Sequence, residues 1–289
     1  MKYIIVGDLM VDVVTVLQDS TIHFGDDNRA TVEIHGGGAA ANVAAWMGSL
    51  QPEFHCVVGD DVLGRALVSD LEATGVRVHP IIGTAPTGAV VALVHRDGER
   101  TMFPSTGANA GLKPDVLDGR VTAGDHVHLS GYLLLREHTR ATALALIAAA
   151  KNAGATVSMD PASARLIDLM GAAAARSAMQ GVDLLIGNEA EAMMLVGADT
   201  PSAAAFMLSD IFPTALVKLG AGGACSVVDG EVVTRPAIPS SVVDTVGAGD
   251  AFAAGAIPAW KESKSMTEIL DAGNLLGHRA VEQRGARPL

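Results

Sequence analysis

Short apolar runs rich in β-branched residues alternate, along most of the chain, with Ala/Leu-rich stretches of helical length. The runs at Tyr3–Val6, 54–58, 127–129, 156–159, 183–186 and 215–219 read as strands. The stretches at 39–50, 62–74, 139–153, 162–179, Glu189–Val196 and 202–212 read as helices. Strands joined through helices of this length form parallel pairs, because an antiparallel return needs only a tight turn. The pattern predicts an α/β chain with a mainly parallel central sheet and helices on both faces, a three-layer α/β/α sandwich. The unbroken apolar run at 184–186 suits a strand buried on both sides.

Two regions break this rhythm. Residues 11–34 contain alternating segments, Val14-Thr15-Val16 and Thr31-Val32-Glu33-Ile34, around a polar turn at Asp26-Asp27-Asn28. Residues 88–103 read as strand, turn, strand, with the turn at Asp97-Gly98. Neither has a helical period, and both are expected to be antiparallel and to pair into a small separate sheet. The expected organisation is an α/β domain from 1–10, 36–86 and 105–289, carrying a small β lid made of 11–35 and 87–104. A further hairpin is expected at 226–234, turning at Asp229-Gly230. Pro258, inside the helical stretch 251–260, is expected to kink or end that helix about two turns in.

Composition narrows the function classes. A chain of 289 residues, 49% apolar and 18% charged, has enough apolar surface for a sizeable core and is not a disordered polymer. Its 20 basic and 32 acidic residues give a net charge of −12. Such a surface repels nucleic-acid backbones and anionic membranes, so neither is an expected partner. Cys56 and Cys225 are isolated, form no metal-ligating pair, and read as buried thiols of a reducing compartment. The apolar run at the N-terminus is short and interrupted by Asp8 and Asp12, and the stretch near 141–150 is about half of a membrane span. A cytoplasmic location is expected. The nine histidines are scattered. His126 and His128 alternate on one strand face with no third ligand nearby in sequence, and structural roles are expected for both.

Four segments carry chemistry. Asp244-Thr245-Val246-Gly247-Ala248-Gly249-Asp250-Ala251-Phe252 follows a β-like run and opens an apolar helix. Glycines at a helix start let backbone N–H groups point at an anion, and the helix dipole favours it there. Asp250, in that first turn, is placed to accept a proton from a hydroxyl attacking a phosphoryl group held by the same turn. The plainer reading is a tight turn followed by a first-turn acid. Gly36-Gly37-Gly38-Ala39-Ala40-Ala41-Asn42 strips one surface of bulky side chains, so that a ligand can approach the backbone. Asn42 is the polar group on that face, or a packing Asn. Asn188-Glu189-Ala190-Glu191 follows the buried strand. It suits a helix cap, or a cleft-facing pair holding Mg²⁺ directly or through water. Lys218-Leu219-Gly220-Ala221-Gly222-Gly223 is a glycine-rich loop at a strand end. No G-x-x-x-x-G-K-[ST] motif occurs. The looser dinucleotide pattern at Gly36-x-Gly38-x-x-Ala41 follows a lid strand instead of the first strand of the main sheet.

Taken together and in this order, the four segments resemble the ribokinase-like (PfkB) family of carbohydrate kinases over nearly the whole chain. The segment ending in Asp250 is similar to that family's C-terminal signature. Gly37 to Asn42 is similar to its glycine motif, and Asn188 to Glu191 to its Asn-x-x-Glu motif. The resemblance implies an α/β sandwich with a β lid, and an ATP-dependent, Mg²⁺-requiring kinase acting on a primary hydroxyl of a small sugar. It makes Asp250 the catalytic base and the N–H groups of Gly247, Ala248 and Gly249 the anion hole. Asp12, Gly37, Gly38 and Asn42 would bind the sugar. Asn188, Lys218, Gly220, Gly222, Gly223 and Asn274 would bind the nucleotide, and Asn188 with Glu191 would hold Mg²⁺. Asp244, Val246 and the backbone near Gly285 would hold a monovalent cation, usually K⁺. A homodimer through the lid is a further implication.

Some positions bear on the substrate. Ala39 stands where ribokinases proper often carry Lys, which weakens the case for ribose itself and for phosphorylated sugars, since a phosphate needs fixed positive charge. Arg100 and Arg136 are candidates for a carboxylate on a keto-acid sugar, while Arg96 reads as an exposed turn residue. Glu137 reads either as a sugar contact or as a helix-start acid. Phe24, Met102 and Phe103 would have to cradle the base in the alternative, a nucleoside kinase. A catalytically silent ligand-binding protein is the second alternative.

Overall fold

The computed structural model describes residues 1–19, 21–95 and 100–288. In chain order the strands are β1 (Tyr3–Val6), β2 (Met10–Leu17), β3 (Ala30–Gly37), β4 (Glu53–Gly59), β5 (Arg77–Gly83), β6 (Gly88–Val94) and β7 (Arg100–Ser105). They continue with β8 (His126–Ser130), β9 (Thr156–Asp160), β10 (Leu184–Asn188), β11 (Thr214–Lys218), β12 (Ala224–Val228) and β13 (Glu231–Arg235). The helices are α1 (Ala39–Trp46), α2 (Val62–Ala73), α3 (Gly131–Leu135), α4 (Glu137–Asn152) and α5 (Ala164–Met170). After them come α6 (Ala172–Ala178), α7 (Glu189–Val196), α8 (Pro201–Ser209), α9 (Ala248–Lys261) and α10 (Met266–Val281).

Nine strands form the central sheet in the order β13-β12-β11-β10-β9-β8-β1-β4-β5. From β11 to β5 every neighbouring pair is parallel, and β12 and β13 add an antiparallel hairpin at one edge. That hairpin turns at Asp229 (φ 51°) and Gly230 (φ 78°), the left-handed pair that a two-residue turn between twisted strands requires. The sheet separates two apolar cores. Leu129, Met159, Leu185 and Val217 face one side with helices α4 to α8. Ile5, Phe54, Ile186 and Leu216 face the other with α1, α2, α9 and α10. This is the expected α/β/α sandwich, and both cysteines are buried free thiols within it.

A second sheet has the order β3-β2-β6-β7. Its two hairpin pairs, β2–β3 and β6–β7, are antiparallel, while β2 and β6, which join them, are parallel. The register puts His35, Asp12 and Val90 on one face, followed by Glu33, Val14, Ala92 and Met102. Ile34, Val13, Val91 and Phe103 lie in line on the opposite face. The turn expected at Asp97-Gly98, Arg96 beside it, and the side chain of Arg100 lie outside the described residues.

Two expectations need correction, and one strand lies outside all of them. The single helix expected at 162–179 is two helices, α5 and α6, parted at Gly171, whose φ of 84° cannot continue a right-handed helix. Of the two outcomes expected at Pro258, a kink or an end, the end does not occur there, since α9 runs on to Lys261. So close to the C-terminus the missing N–H removes a single bond, and the Pro258 carbonyl still accepts from Glu262 N at 3.0 Å. Strand β5 carried no sequence signal, because His79-Pro80 interrupts its apolar run. As an edge strand it tolerates a proline. Among the described residues no helix is long and apolar enough to cross a membrane.

Candidate active site

The parallel strands end along one edge of the sheet, where α/β proteins place their ligands. Ser130 and Asp160 are register partners at the ends of β8 and β9, and Asn188 and Lys218 at the ends of β10 and β11. Asp250 faces this edge from the third position of α9. The helix starts at Gly247 in the left-handed conformation (φ 76°), where a Cβ would fall 2.6 Å from the Ala286 backbone. Only glycine fits between the helix start and the C-terminal segment. That segment is pinned in turn by a 2.9 Å hydrogen bond from Trp46 Nε1 to the Ala286 carbonyl.

Asn42 donates from Nδ2 to Asp250 Oδ2 at 2.9 Å. Its Oδ1 accepts from Arg287 Nε at 3.3 Å, and Arg287 Nη2 donates to the Gly37 carbonyl at 2.9 Å. A guanidinium only donates, so it fixes the Asn42 amide with its oxygen toward Arg287 and its nitrogen toward Asp250. Burial pushes the Asp250 carboxyl up to about 7, against the Asn42 hydrogen bond, with the nearby Asp160 raising it further. Asp12, on β2, lies against Gly37, where a Cβ would fall 2.2 Å from its Oδ2. Burial pushes the Asp12 carboxyl up to about 6, opposed by Arg287 and His35. The turn between β1 and β2 is held by buried Asn109, whose Oδ1 accepts from Leu9 N at 3.2 Å and whose Nδ2 donates to Leu9 O at 3.1 Å.

Lys218 Nζ lies 2.5 Å from Asp160 Oδ2. Burial opposes its charge, but Asp160, Glu191 and Asp250 outweigh that and keep it protonated, with its pKa raised. A Cβ on Gly249 would lie 3.1 Å from this ammonium, so the cation sits beside the start of α9. Asn188 and Glu191 form a reciprocal capping box on α7. Asn188 Oδ1 accepts from Glu191 N, and Glu191 Oε2 accepts from Asn188 N, both at 2.9 Å. Glu191 is buried, and burial with the neighbouring Asp160 pushes its carboxyl up to about 7.

A cavity of about 530 Å³ opens beside these groups, lined by Lys218, Gly220, Gly223, Ala248, Gly249 and Asn274 among others. Gly222, expected with them, is not on its wall. Asn274 donates to the Arg235 and Pro236 carbonyls at 3.3 and 3.1 Å, tying α10 to the segment after β13. A second cavity of about 440 Å³ lies between the Asp12 face of the small sheet and residues 243–246 and 284–286. Asp244, Val246 and Gly285 meet at its edge, where Asp244 accepts from Val246 N at 3.1 Å and from Gly285 N at 3.2 Å.

Other sequence candidates fall elsewhere. Arg136 is matched to Asp8 at 3.1 Å and stacks 5.1 Å from the Tyr132 ring centre. Glu137 is exposed in the first turn of α4. His126 bonds Thr156 and Ser158, and His128 bonds Ser158, as structural histidines do. Two residues were missed. Asp160 ends β9 just before Pro161, a position where strand-end acids of an α/β sheet merit attention. Arg287 has no local motif, and nothing in spacing links it to Asn42.

The model of the pfkB family of carbohydrate kinases matches residues 1–289. The ATP-dependent ribose-1-phosphate kinase of Halopiger xanaduensis is 32% identical over 258 residues, 87% of this chain and 82% of that protein. The solved adenosine kinase from Sinorhizobium meliloti superposes with a TM-score of 0.88 at 26% identity, covering 100% of this chain and 96% of that one. Arabidopsis thaliana ribokinase, solved with ribose and ATP, gives 0.81 at 25% identity, covering 99% and 94%. With the family model matched end to end on a ribokinase-like fold, the chain belongs to the pfkB family of carbohydrate kinases, a family of phosphotransferases.

Proposed function

We propose that this enzyme transfers the γ-phosphoryl group of MgATP to a primary hydroxyl of a small sugar, with Asp250 as general base. The observation that carries the reading is Asp250 itself. Its carboxyl, pushed up to about 7, is aligned by Asn42 at the N-terminus of a helix. A base poised near neutrality is matched to removing a hydroxyl proton at neutral pH. The sugar lies against Asp12, Gly37, Gly38 and Asn42, and Asp250 takes the proton of the attacking hydroxyl. The N–H groups of Gly247, Ala248 and Gly249, with Lys218 beside them, stabilise the charge on the transferred phosphoryl. The small sheet acts as a lid that excludes water from the acceptor.

The cavity of about 530 Å³ falls within the roughly 300–1,000 Å³ of ordinary ligand pockets, which suits ATP against Gly220, Gly223 and Asn274. The donor set suits Mg²⁺, which binds through one or two carboxylates, phosphates and retained water. Glu191 Oε2 and Asn188 Oδ1 are engaged in the capping box, so this pair would hold the ion through water. Bound Mg²⁺ supplies charge neutralisation on the phosphates. The hard oxygens around Asp244, Val246 and Gly285 fit K⁺. The acidic surface and the two unpaired thiols suit the cytoplasm.

The lid favours a sugar over a nucleoside. Phe24 is 94% exposed and Phe103 is on the far face, so of the three cradle candidates only Met102 lines the acceptor cavity. Ala39 supplies no cation, but Arg287 brings a guanidinium to the same glycine motif, so sugar phosphates belong among the acceptors tested. The test is ADP release from MgATP across sugars, polyols, sugar acids, sugar phosphates and nucleosides, with Asp250→Asn as the blank. Sugar-stimulated turnover that vanishes in the blank is expected. Turnover with nucleosides alone, or turnover that survives Asp250→Asn, would overturn the assignment.

A further inference from the structure

At the opposite end of β4 and β5 from the kinase residues, three ligating side chains converge. The parallel register pairs His55 with His79, and the two-residue period of a strand puts Glu53 on the same face of β4 as His55. The two imidazoles stack with centroids 4.7 Å apart and planes 14° apart. The Nε2 atoms of both are buried and have no hydrogen-bond partner among the described residues. His55 as a whole is 1% exposed. Glu53 Oε2 faces them from 3.9 Å and 4.0 Å, beyond hydrogen-bond distance. Its other oxygen, Oε1, lies 3.4 Å from Lys2 Nζ, which orients the carboxylate.

We propose that Glu53, His55 and His79 form a binding site for a divalent transition-metal ion of the zinc class, separate from the kinase site. Their three ligand atoms all lie within 4.8 Å of one another. An ion equidistant from them would need contacts to shorten by about 0.5 Å to reach the roughly 2.0–2.2 Å bonds zinc makes to imidazole and carboxylate, and one of the two stacked rings would turn so that both in-plane lone pairs meet the ion. Two nitrogens and one carboxylate oxygen, with water in the fourth position, is a donor set zinc accepts. Leaving buried polar atoms unpaired is costly, and one ion would satisfy both imidazoles at once. The ion would fasten β5, the edge strand, to β4.

The test uses the full chain, freed of metal with EDTA and held in millimolar Mg²⁺ to occupy the nucleotide-side carboxylates. Zinc uptake is measured by equilibrium dialysis with metal analysis, and Co²⁺ serves as a spectroscopic stand-in. His79→Gln, at a side chain 37% exposed, and Glu53→Gln are the variants. The expected result is one zinc more per wild-type chain than per variant chain, or at least a tenfold weaker affinity in both variants. Visible Co²⁺ bands should be lost with it, and the wild-type melting temperature should rise with zinc. Kinase turnover of metal-free His79→Gln should equal that of the wild type. Wild-type protein that takes up no saturable zinc, or variants that bind it equally well, would overturn the site, as would a wild-type melting temperature indifferent to zinc.

Discussion

In the proposed function, Asp250 sets catalysis against stability. Its folded pKa of about 7 lies above its unfolded value of 3.8, so the folded state holds the proton more tightly. Stability from this group is therefore greatest at low pH and falls as pH rises from about 4 through about 7. At pH 8, Asp250→Asn should raise the melting temperature, by a gain on the order of a few kcal/mol. It should also cut turnover by about 10²–10⁴-fold. Calorimetry and steady-state kinetics on one preparation check both, and a variant no more stable than wild type would deny that the carboxylate is strained by burial. The same pKa predicts that wild-type kcat/KM falls about tenfold per pH unit below about pH 7. Arg287→Met should free the Asn42 amide to turn its oxygen toward Asp250. The acid limb should then move to higher pH, and Arg287→Lys, still donor-only, should move it back in part. An unmoved limb in Arg287→Met would separate Arg287 from the base. Asp250, Gly247 and Asn42 were legible because each lies in a short local motif. Arg287 and Asp160 were not, since their partners are 245 and 58 residues away.

At the scale of elements, the proposed function gives α7 two tasks with one pair of residues, capping the helix and holding Mg²⁺. The capping box means that Asn188→Ala should destabilise the protein by about 1 kcal/mol whatever its role in catalysis. A Mg²⁺ titration of activity separates the two tasks. Asn188→Ala and Glu191→Ala should each need more Mg²⁺ for half-maximal turnover, and unchanged titrations in both would leave the pair to capping alone. The central strands were legible because strands buried on both faces are apolar throughout, as at Leu184, Leu185 and Ile186. Strand β5 was not, because an edge strand is free of that demand and spends it on His79 and Pro80. The break between α5 and α6 turns on one glycine, whose backbone angle periodicity does not encode.

At the scale of the molecule, the small sheet has two unlike faces. One lines the cavity of about 440 Å³ through Asp12, Val14 and Met102. The other presents Val32, Ile34, Val91 and Phe103, which are 56%, 65%, 40% and 56% exposed. A contiguous apolar face of this kind is a natural interface, and the expected state is a homodimer joined through it. Sedimentation equilibrium should give twice the chain mass, and Ile34→Glu with Phe103→Glu should give monomers. A wild-type protein that sediments as a monomer at micromolar concentration would end that expectation.

The hydrogen bond from Trp46 to Ala286 also gives the molecule an optical reporter. The chain has two tryptophans, and the other, Trp260, donates to Thr214 Oγ1 at 3.1 Å near the far end of α9. In a Trp260→Phe background a single fluorophore would register whether residues 284–288 are seated against α1 and Gly247. Stopped-flow fluorescence and recovered turnover, followed together during refolding, would then time the last closure of the site. The proposed base comes from residue 250, and the amide that meets it is oriented from residue 287.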